Sequence, residues 1–379
     1  MRKTFRYRLY PTKAQAEALT GQLREACTMY NAALQERRDA WRIAKKSIGY
    51  QDQANQLKEI RAEGFTGLAN YSCCQQVLRR LDKAFQAFFR RLKTGDTPGF
   101  PRFKPHQRFD SIDFTNGDGC RLQKNGKLRV QGVGHIKVKL HRPLEGVTKM
   151  IAVKRDAGKW YACFSVEVEP KPLAPSATTV GIDVGLESFA VLSDDTVVNN
   201  PRHYKHAQAA LRIAQRRVAR RKKGGKGRKK AVAVLQGAHA HVKNQRLDFQ
   251  HKLANDLVQR FGVIAIEELN IKGLAGGMLA KSVHDAGWSG FFQKLAYKAE
   301  SAGRSLVKVD PRGTSQRCSR CGGEVRKELK DRWHECHACG LSVSRDFNSA
   351  VEILRLGLSL VSLTWPVTVC VGTEAVCLS

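Results

Sequence analysis

The sequence predicts a chain in two parts: a small β-barrel interrupted by a helical insertion, followed by an α/β layer fold. Three patterns predict it. Short runs with strand alternation occupy residues 3–10 and return between 109 and 169. Residues 14–92, lying between them, repeat their apolar positions at helical spacing. Beyond 179, apolar strands alternate with helices.

Residues 3–10, KTFRYRLY, alternate basic with apolar or aromatic groups, so the strand carries its cations on one face. Pro11 and Thr12 open a helix over 14–45, where Leu19, Leu23, Ala26, Tyr30 and Leu34 share a face. Gly64 to Gly67 breaks the helical region. A second helix over 71–92 follows, with Val77, Leu81, Phe85, Phe88 and Phe89 as its apolar face and Arg79, Arg80, Arg90 and Arg91 as basic flanks. The stretch GDTPGFPRFKP is too rich in Gly and Pro for regular structure. FDSIDFTN, KLRVQG, HIKVKL, KMIAVKRD and KWYACFSVEVE then supply the remaining barrel strands. KPLAPSAT, residues 171–178, reads as a linker.

The second part begins with TVGIDVGLESFAVLSDDTVV, a strand, a glycine-pinched turn and another strand. Residues 204–260 are helical with a break at 224–227. GVIAIEEL is a buried strand ending in acids, 286–303 is helical, SLVKVDP is a strand, and a last helix spans 346–356. The apolar run from Leu356 to Val371 is broken by Pro366. It is shorter than the ~20 residues a membrane span needs, so it is expected to pack. The basic N-terminus lacks the apolar core of a secretory leader.

Charge narrows the function. The 66 Lys and Arg face 34 acids, a formal +32. Such a chain repels itself unless a polyanion neutralises it, and nucleic acid is the ordinary polyanion. Apolar residues make up 42%, enough to build real cores and exclude a disordered tail.

Four of the 11 cysteines stand as Cys318-x2-Cys321 and Cys336-x2-Cys339. Two such turns close a tetrahedron of thiolates, which is what structural zinc requires; two redox pairs are the rival reading. Gly322, Gly323 and Gly340 are expected to permit the turns, and His334 and His337 are weaker candidates to replace a thiolate. The odd cysteine count argues against a disulfide framework. Cys27, Cys73, Cys74, Cys120, Cys163, Cys370 and Cys377 read as small buried hydrophobes or spectators.

Three acids stand at strand ends or helix starts: Asp183 in GIDVG, Glu267 closing VIAIEEL, and Asp346 in RDFNSA. Together they can hold two magnesium ions about 4 Å apart for phosphodiester hydrolysis. Singly, each reads as well as a turn residue or a helix cap. Strand alternation sends Glu267 and Glu268 to opposite faces, so only one can join the site.

These segments, taken together, resemble the TnpB (OrfB) proteins of insertion sequences, compact relatives of the type V CRISPR effectors. The resemblance runs from FRYRLYPTKAQ and MYNAAL through RRLDKAFQAFFRRLKTG, PGFPRFK, DSIDFTN and VGIDVGLESFAVLSD. It continues in NQRLDFQHKLANDLV and IAIEELNIKGL, and closes with DAGWSGFFQKLAYKAE, SQRCSRCGG, CHACG and RDFNSAVEILR. It implies an RNA-guided DNA endonuclease. Its wedge-like barrel would comprise 1–12 and 95–170, with a helical recognition insertion at 13–94. An RNase H-like, RuvC-type domain would comprise 179–314 and 343–379, with a zinc-binding domain inserted at 315–342. The resemblance selects Asp183, Glu267 and Asp346 as the catalytic acids. Ser344 departs from the pattern, since many relatives carry Asp there.

The implied cofactors are two catalytic Mg2+, one structural Zn2+ and a guide RNA encoded beside the gene. The implied partner is target double-stranded DNA, with no membrane; transposition belongs to a separate protein of the element. The expected location is the cytoplasm, on the nucleoid when DNA is bound. Candidate nucleic-acid contacts are Arg6, Tyr7 and Arg8; Arg102, Phe103 and Lys104 in the rigid PRFK loop; and Arg220, Arg221, Lys222 and Lys223 within the basic run 216–230. Gln75, Thr115 and Asn116 are candidate base readers. A non-cleaving guided repressor and a transposase acting on element ends are the competing functions; the three intact acids weigh against the first.

Overall fold

The computed structural model of the protein describes residues 1–328 and 331–362. The chain divides into two units, Met1–Glu169 and Pro170–Ser379.

In the first unit, β1 (Arg2–Tyr10) is central to a seven-stranded antiparallel sheet. Thr12 caps α1 (Lys13–Ala44): its hydroxyl accepts from the Gln15 N–H while the Gln15 carboxamide accepts from the Thr12 N–H. Lys45, in the left-handed region, ends the helix. Two short helices, α2 (Tyr50–Asn55) and α3 (Leu57–Ala62), precede the glycine break. Asn70 caps α4 (Tyr71–Lys93) and also donates to Asp118 and Gln131, which ties the helix to the sheet. The strands β2 (Ser111–Thr115), β3 (Cys120–Leu122), β4 (Lys127–Val130), β5 (Gly134–Lys139), β6 (Val147–Asp156) and β7 (Lys159–Glu167) complete the order β2-β6-β7-β1-β5-β4-β3. The two end strands meet through a bridge between Asn116 and Cys120, so the sheet is nearly closed. One core, containing Tyr7, Leu23, Tyr30, Leu81 and Phe164, is shared by the sheet and the helical insertion.

The second unit builds a mixed sheet from β8 (Thr179–Asp183), β9 (Ser188–Leu192), β10 (Val197–Asn199), β11 (Val263–Glu267) and β12 (Ser305–Val309), in the order β10-β9-β8-β11-β12. β8, β11 and β12 run parallel. A hairpin of α5 (His203–Ala219) and α6 (Lys226–Arg260) follows β10. α7 (Ile271–Leu274), α8 (Ala280–Ala286) and α9 (Trp288–Ala302) lie between β11 and β12. A small hairpin, β13 (Trp333–Glu335) with β14 (Ser342–Ser344), leads into α10 (Arg345–Ser362). The expected packing of 356–371 falls on α10 only as far as 362; the rest lies outside the described residues. No described helix is long and apolar enough to cross a membrane.

Strand alternation divides the mixed sheet into two faces. Val180, Ile182, Ile264 and Ile266 face a core with Leu257, Phe291 and Leu295. Ala265 and Val309 face Ile353 of α10. Gly181 lets the helix come close: a Cβ there would collide with the Ala350 carbonyl and crowd the Leu354 N–H. Gly181→Ala should therefore lower stability by about 1–3 kcal/mol in urea unfolding, as overpacking does. Gly237→Ala, inside α6 with nothing within 4 Å, should raise it by about 0.5–1 kcal/mol. Equal and small effects at the two positions would refute the close-approach argument.

Candidate active site

β8 and β11 are parallel neighbours with Ile182 opposite Ile266, so Asp183 and Glu267 follow side by side at the strand ends. Both lie on the sheet face that α10 covers, and Asp346 sits in the first turn of that helix. Three acids far apart in sequence are thus gathered by two strand ends and one helix start. The Asp183 carboxyl stands well above the usual carboxylate range. Burial is the main cause, followed by the Glu267 and Asp346 charges, while Arg345 and the Val184 N–H pull the other way. Burial also raises Glu267, opposed by the Thr314 hydroxyl that donates to it. Glu268 points outward and meets Lys308 at 3.3 Å. The Ser344 hydroxyl accepts from the Phe347 N–H at 3.2 Å, so it caps α10.

The four cysteines converge. Their sulfurs all lie within 4.8 Å of one another, with Cys318 and Cys339 at 3.6 Å and Cys321 and Cys336 at 3.5 Å. Four thiolates about 2.3 Å from one zinc would stand about 3.8 Å apart, so the cluster fits a tetrahedral ion. Among the described residues this is the one tight cluster of metal-type donors; the three acids are gathered less closely. Gly322 and Gly340 take positive φ as expected, whereas Gly323 does not. His334 is buried beside Lys327 and His337 is exposed; neither belongs to the thiolate cluster.

A residue that sequence reasoning passed over links these centres. Asn348 is fully buried; its carboxamide accepts from the Ser319 N–H at 3.0 Å and donates to the Arg317 carbonyl at 2.8 Å. It clasps the first cysteine turn to the helix whose first turn carries Asp346. Glu352, also fully buried, reinforces it by pairing with Arg355 at 2.7 Å and Arg317 at 3.4 Å. The signal available was an Asn two residues beyond an acid, too common a pattern to single out.

The candidate nucleic-acid contacts divide. Tyr7 is corrected: it is fully buried in the barrel core, with its hydroxyl 3.3 Å from the Arg142 and Pro143 carbonyls. On a strand, a residue between two outward arginines points inward. Arg6 is half-buried, paired with Asp156 at 2.9 Å and stacked 3.7 Å above the Tyr161 ring; Arg8 lies over the same ring at 5.3 Å. Lys104 is half-buried, with its ammonium 4.4 Å over the Tyr30 ring, and burial lowers its pKa. Arg102 and Phe103 stay exposed, as do Thr115 and Asn116; Gln75 is half-buried on α4. Arg220, Arg221, Lys222 and Lys223 are exposed at the α5–α6 tip, where Arg228 braces the turn by donating to the Val218 and Arg221 carbonyls.

Comparisons with known proteins agree with this architecture. Residues 163–277 match the OrfB_IS605 family, described as "Probable transposase". Residues 288–353 match a "Cas12f1-like, TNB domain", and 1–46 match a "Helix-turn-helix domain", although the latter region here is a strand and one long helix. A Streptomyces pristinaespiralis protein named "Putative RNA-guided DNA endonuclease" is 33% identical over 370 residues, 95% of this chain and 90% of its own. The similarly named InsQ of Escherichia coli K12 is 30% identical, covering 94% and 92% of the two chains. The solved mini-RNA-guided endonuclease CRISPR-Cas_phi3 superimposes with a TM-score of 0.50 at 9% identity, over 94% of this chain and 92% of that one. The fold is therefore that of the compact CRISPR effectors. Within that class, the chain belongs to the TnpB (OrfB) family of insertion-sequence proteins.

Because its folded pKa is raised, Asp183 favours the fold while protonated. That contribution is full below about pH 4 and is lost as pH rises through the raised value. In the presence of chelator, Asp183→Asn should melt above wild type at pH 8, with the difference shrinking toward pH 4. Coincident melting curves at pH 8 would show that the three acids do not repel.

Proposed function

We propose that the chain is an RNA-guided endonuclease of a transposable element that cleaves double-stranded DNA beside a short flanking motif. The observation that carries this reading is the gathering of Asp183, Glu267 and Asp346 on one sheet face in a chain of charge +32. The mixed sheet with acids at its strand ends is read as an RNase H-like, RuvC-type domain over 179–314 and 343–379, interrupted by a zinc-binding segment at 315–342. The nearly closed sheet of 1–12 and 95–170 is read as a wedge, with 13–94 as the recognition insertion and 171–178 as the linker.

Asp183, Glu267 and Asp346 would hold two magnesium ions, a donor set suited to hard cations. When bound, those ions activate water and stabilise the leaving oxygen of the phosphodiester. The side chains themselves fix where the scissile phosphate can sit. Thr314 orients Glu267, and Arg345 offsets part of the acidic charge. The four thiolates would hold one zinc, which contributes folding energy to the segment leading into Asp346. Arg6, Arg8, Arg102, Phe103 and Arg220 to Lys223 are assigned to guide and target backbones. Gln75, Thr115 and Asn116 are assigned to base edges. In such systems pairing reads the sequence while the protein reads a flanking motif and duplex shape. The cell compartment consistent with this is the cytoplasm, and transposition is left to a separate protein.

The family description as a transposase sustains one rival reading. Cleavage of a supercoiled plasmid, with and without the RNA that co-purifies, separates the two. Guided cutting should require both RNA and Mg2+. Asp183→Ala, Glu267→Ala and Asp346→Ala should each lower it by at least about a hundredfold, the lower end of the scale on which loss of a transition-state stabiliser acts, while binding persists. Glu268→Ala should cut normally. RNA-free protein that cuts at full rate would overturn the guided reading. A dead Glu268→Ala beside an active Glu267→Ala would overturn the assignment of the acid.

One zinc per chain is expected from elemental analysis of freshly purified protein. Cys321→Ser or Cys339→Ser should remove it and lower the melting temperature. Zinc-free protein that melts like wild type would remove the metal from the fold.

A further inference from the structure

The first unit holds a cleft of about 840 Å³ between the end of α1, the 46–49 loop and the C-terminal half of α4. Its size lies in the range of small-molecule sites, roughly 300–1,000 Å³. Its apolar wall is aromatic. Phe88 meets Phe89 and Phe100 edge-to-face at 5.2 and 5.3 Å, and Trp41 stands across from them. These rings are not core: Trp41 is 58% exposed, Phe89 52% and Phe100 46%. Alternation at helical spacing explains why Phe85 turns inward over Arg37, but it gives no reason for Trp41 and Phe89 to face water.

The charge of the rim indicates what they face. Two acids line the cleft and both are matched: Asp82 by Arg37 at 3.2 Å, Asp39 by Arg42 at 3.3 Å. Arg38 and Lys46 line it with no ion pair among the described residues. A ligand that suits this cleft has a flat π-face for the rings and a negative charge for the rim. A second copy of the chain, at +32, offers the wrong charge.

We infer that this cleft stacks unpaired bases from a loop of the bound RNA, with Arg38 and Lys46 on the flanking phosphates. The inference rests on the RNA-guided reading. RNA loops are chosen because their bases are free to splay out, whereas bases in a DNA duplex are stacked and paired. Base–aromatic stacking is tolerant of sequence, which suits a contact that fixes RNA shape.

The test uses the full chain with its co-purifying RNA. Ultraviolet cross-linking followed by mass spectrometry should place a nucleotide adduct on the peptides that carry Trp41 and Phe88–Phe89. The double variant Trp41→Ala, Phe89→Ala should weaken RNA binding by about 5- to 150-fold per base lost. It should leave the slope of affinity against salt unchanged, because no phosphate contact is removed. Trp41 is mostly exposed but Phe89 also packs on Phe88, so the double variant should melt slightly below wild type, and Trp41→Ala alone, which should melt like wild type, should still weaken RNA binding. Unchanged affinity, or adducts confined to other peptides such as the α5–α6 tip, would overturn the inference and leave the guided reading standing. No RNA bound anywhere would overturn both. A wild-type dimer that the variant converts to monomer, with RNA affinity intact, would assign the cleft to self-association instead.

Discussion

Helix α10 rests on β8 with backbone against backbone, and the active-site geometry depends on that approach. A side chain at 181 would push the helix away, because the Ala350 carbonyl occupies the place of its Cβ. Gly357, further along, sits against the Ala265 Cβ at 2.5 Å from where its own would be. Two glycines, one on the strand and one on the helix, thus set the separation of the layers. With that separation fixed, the first turn of α10 carries Asp346 to the strand ends that hold Asp183 and Glu267. Bulky residues at both contacts would leave the acids in the sequence without gathering them in space.

Gathering three acids is unfavourable in itself, and it adds to burial, the main cause, in raising the Asp183 pKa. The fold offsets it locally with the Val184 N–H at Asp183, the Thr314 hydroxyl at Glu267, and Arg345, which pairs with Asp346 at 3.5 Å and also draws Asp183 down. None of these neutralises the set. A site left electrostatically unsatisfied is one that prefers cations, and the same tension is usual where stability is given up for function. The large positive charge of the chain does not relieve it. Those cations lie mostly on exposed faces such as the α5–α6 tip, where water and salt screen them.

Much of this was legible in the sequence, because two periodicities do most of the sorting. Alternation set Glu267 and Glu268 on opposite faces, though it took the family resemblance to choose Glu267; Thr12 opens α1 as expected, and the hairpin break, at 220–225, overlaps the expected 224–227. The same rule, applied to Tyr7, argued against its assignment as a contact, since Arg6 and Arg8 already occupied the outer face. Lys104 makes a contact that was illegible for a different reason. Its stem is long enough to fold back over Tyr30, and nothing in PRFK reveals a ring seventy-odd positions earlier. Gly181 and Asn348 were illegible in the same sense. A glycine reveals a close approach, and an asparagine a clasp, only once the partner backbone is in place. Gly322 and Gly340 could be read because the turn that demands them is local, running only from Cys318 to Gly322 and from Cys336 to Gly340, and is fixed by its cysteines.

The clasp by Asn348 changes what the four-cysteine segment is for. A closed thiolate site has no open position for chemistry, so its influence on the acids must be mechanical. Asn348 supplies the mechanical route: two hydrogen bonds join the backbone around Cys318 to the first turn of α10, two residues from Asp346. The β13–β14 hairpin supplies a second route, since Ser344 ends that hairpin and caps the same helix. Helix starts ordinarily fray, and the first turn is where a carboxylate is least firmly held. Here that turn is fixed from both sides, by the knuckle through Asn348 and by the hairpin through Ser344. Ser344 can stand where the family resemblance leads one to expect an acid, because a cap needs only an acceptor oxygen, which a hydroxyl provides without adding a fourth negative charge to a site that already holds three.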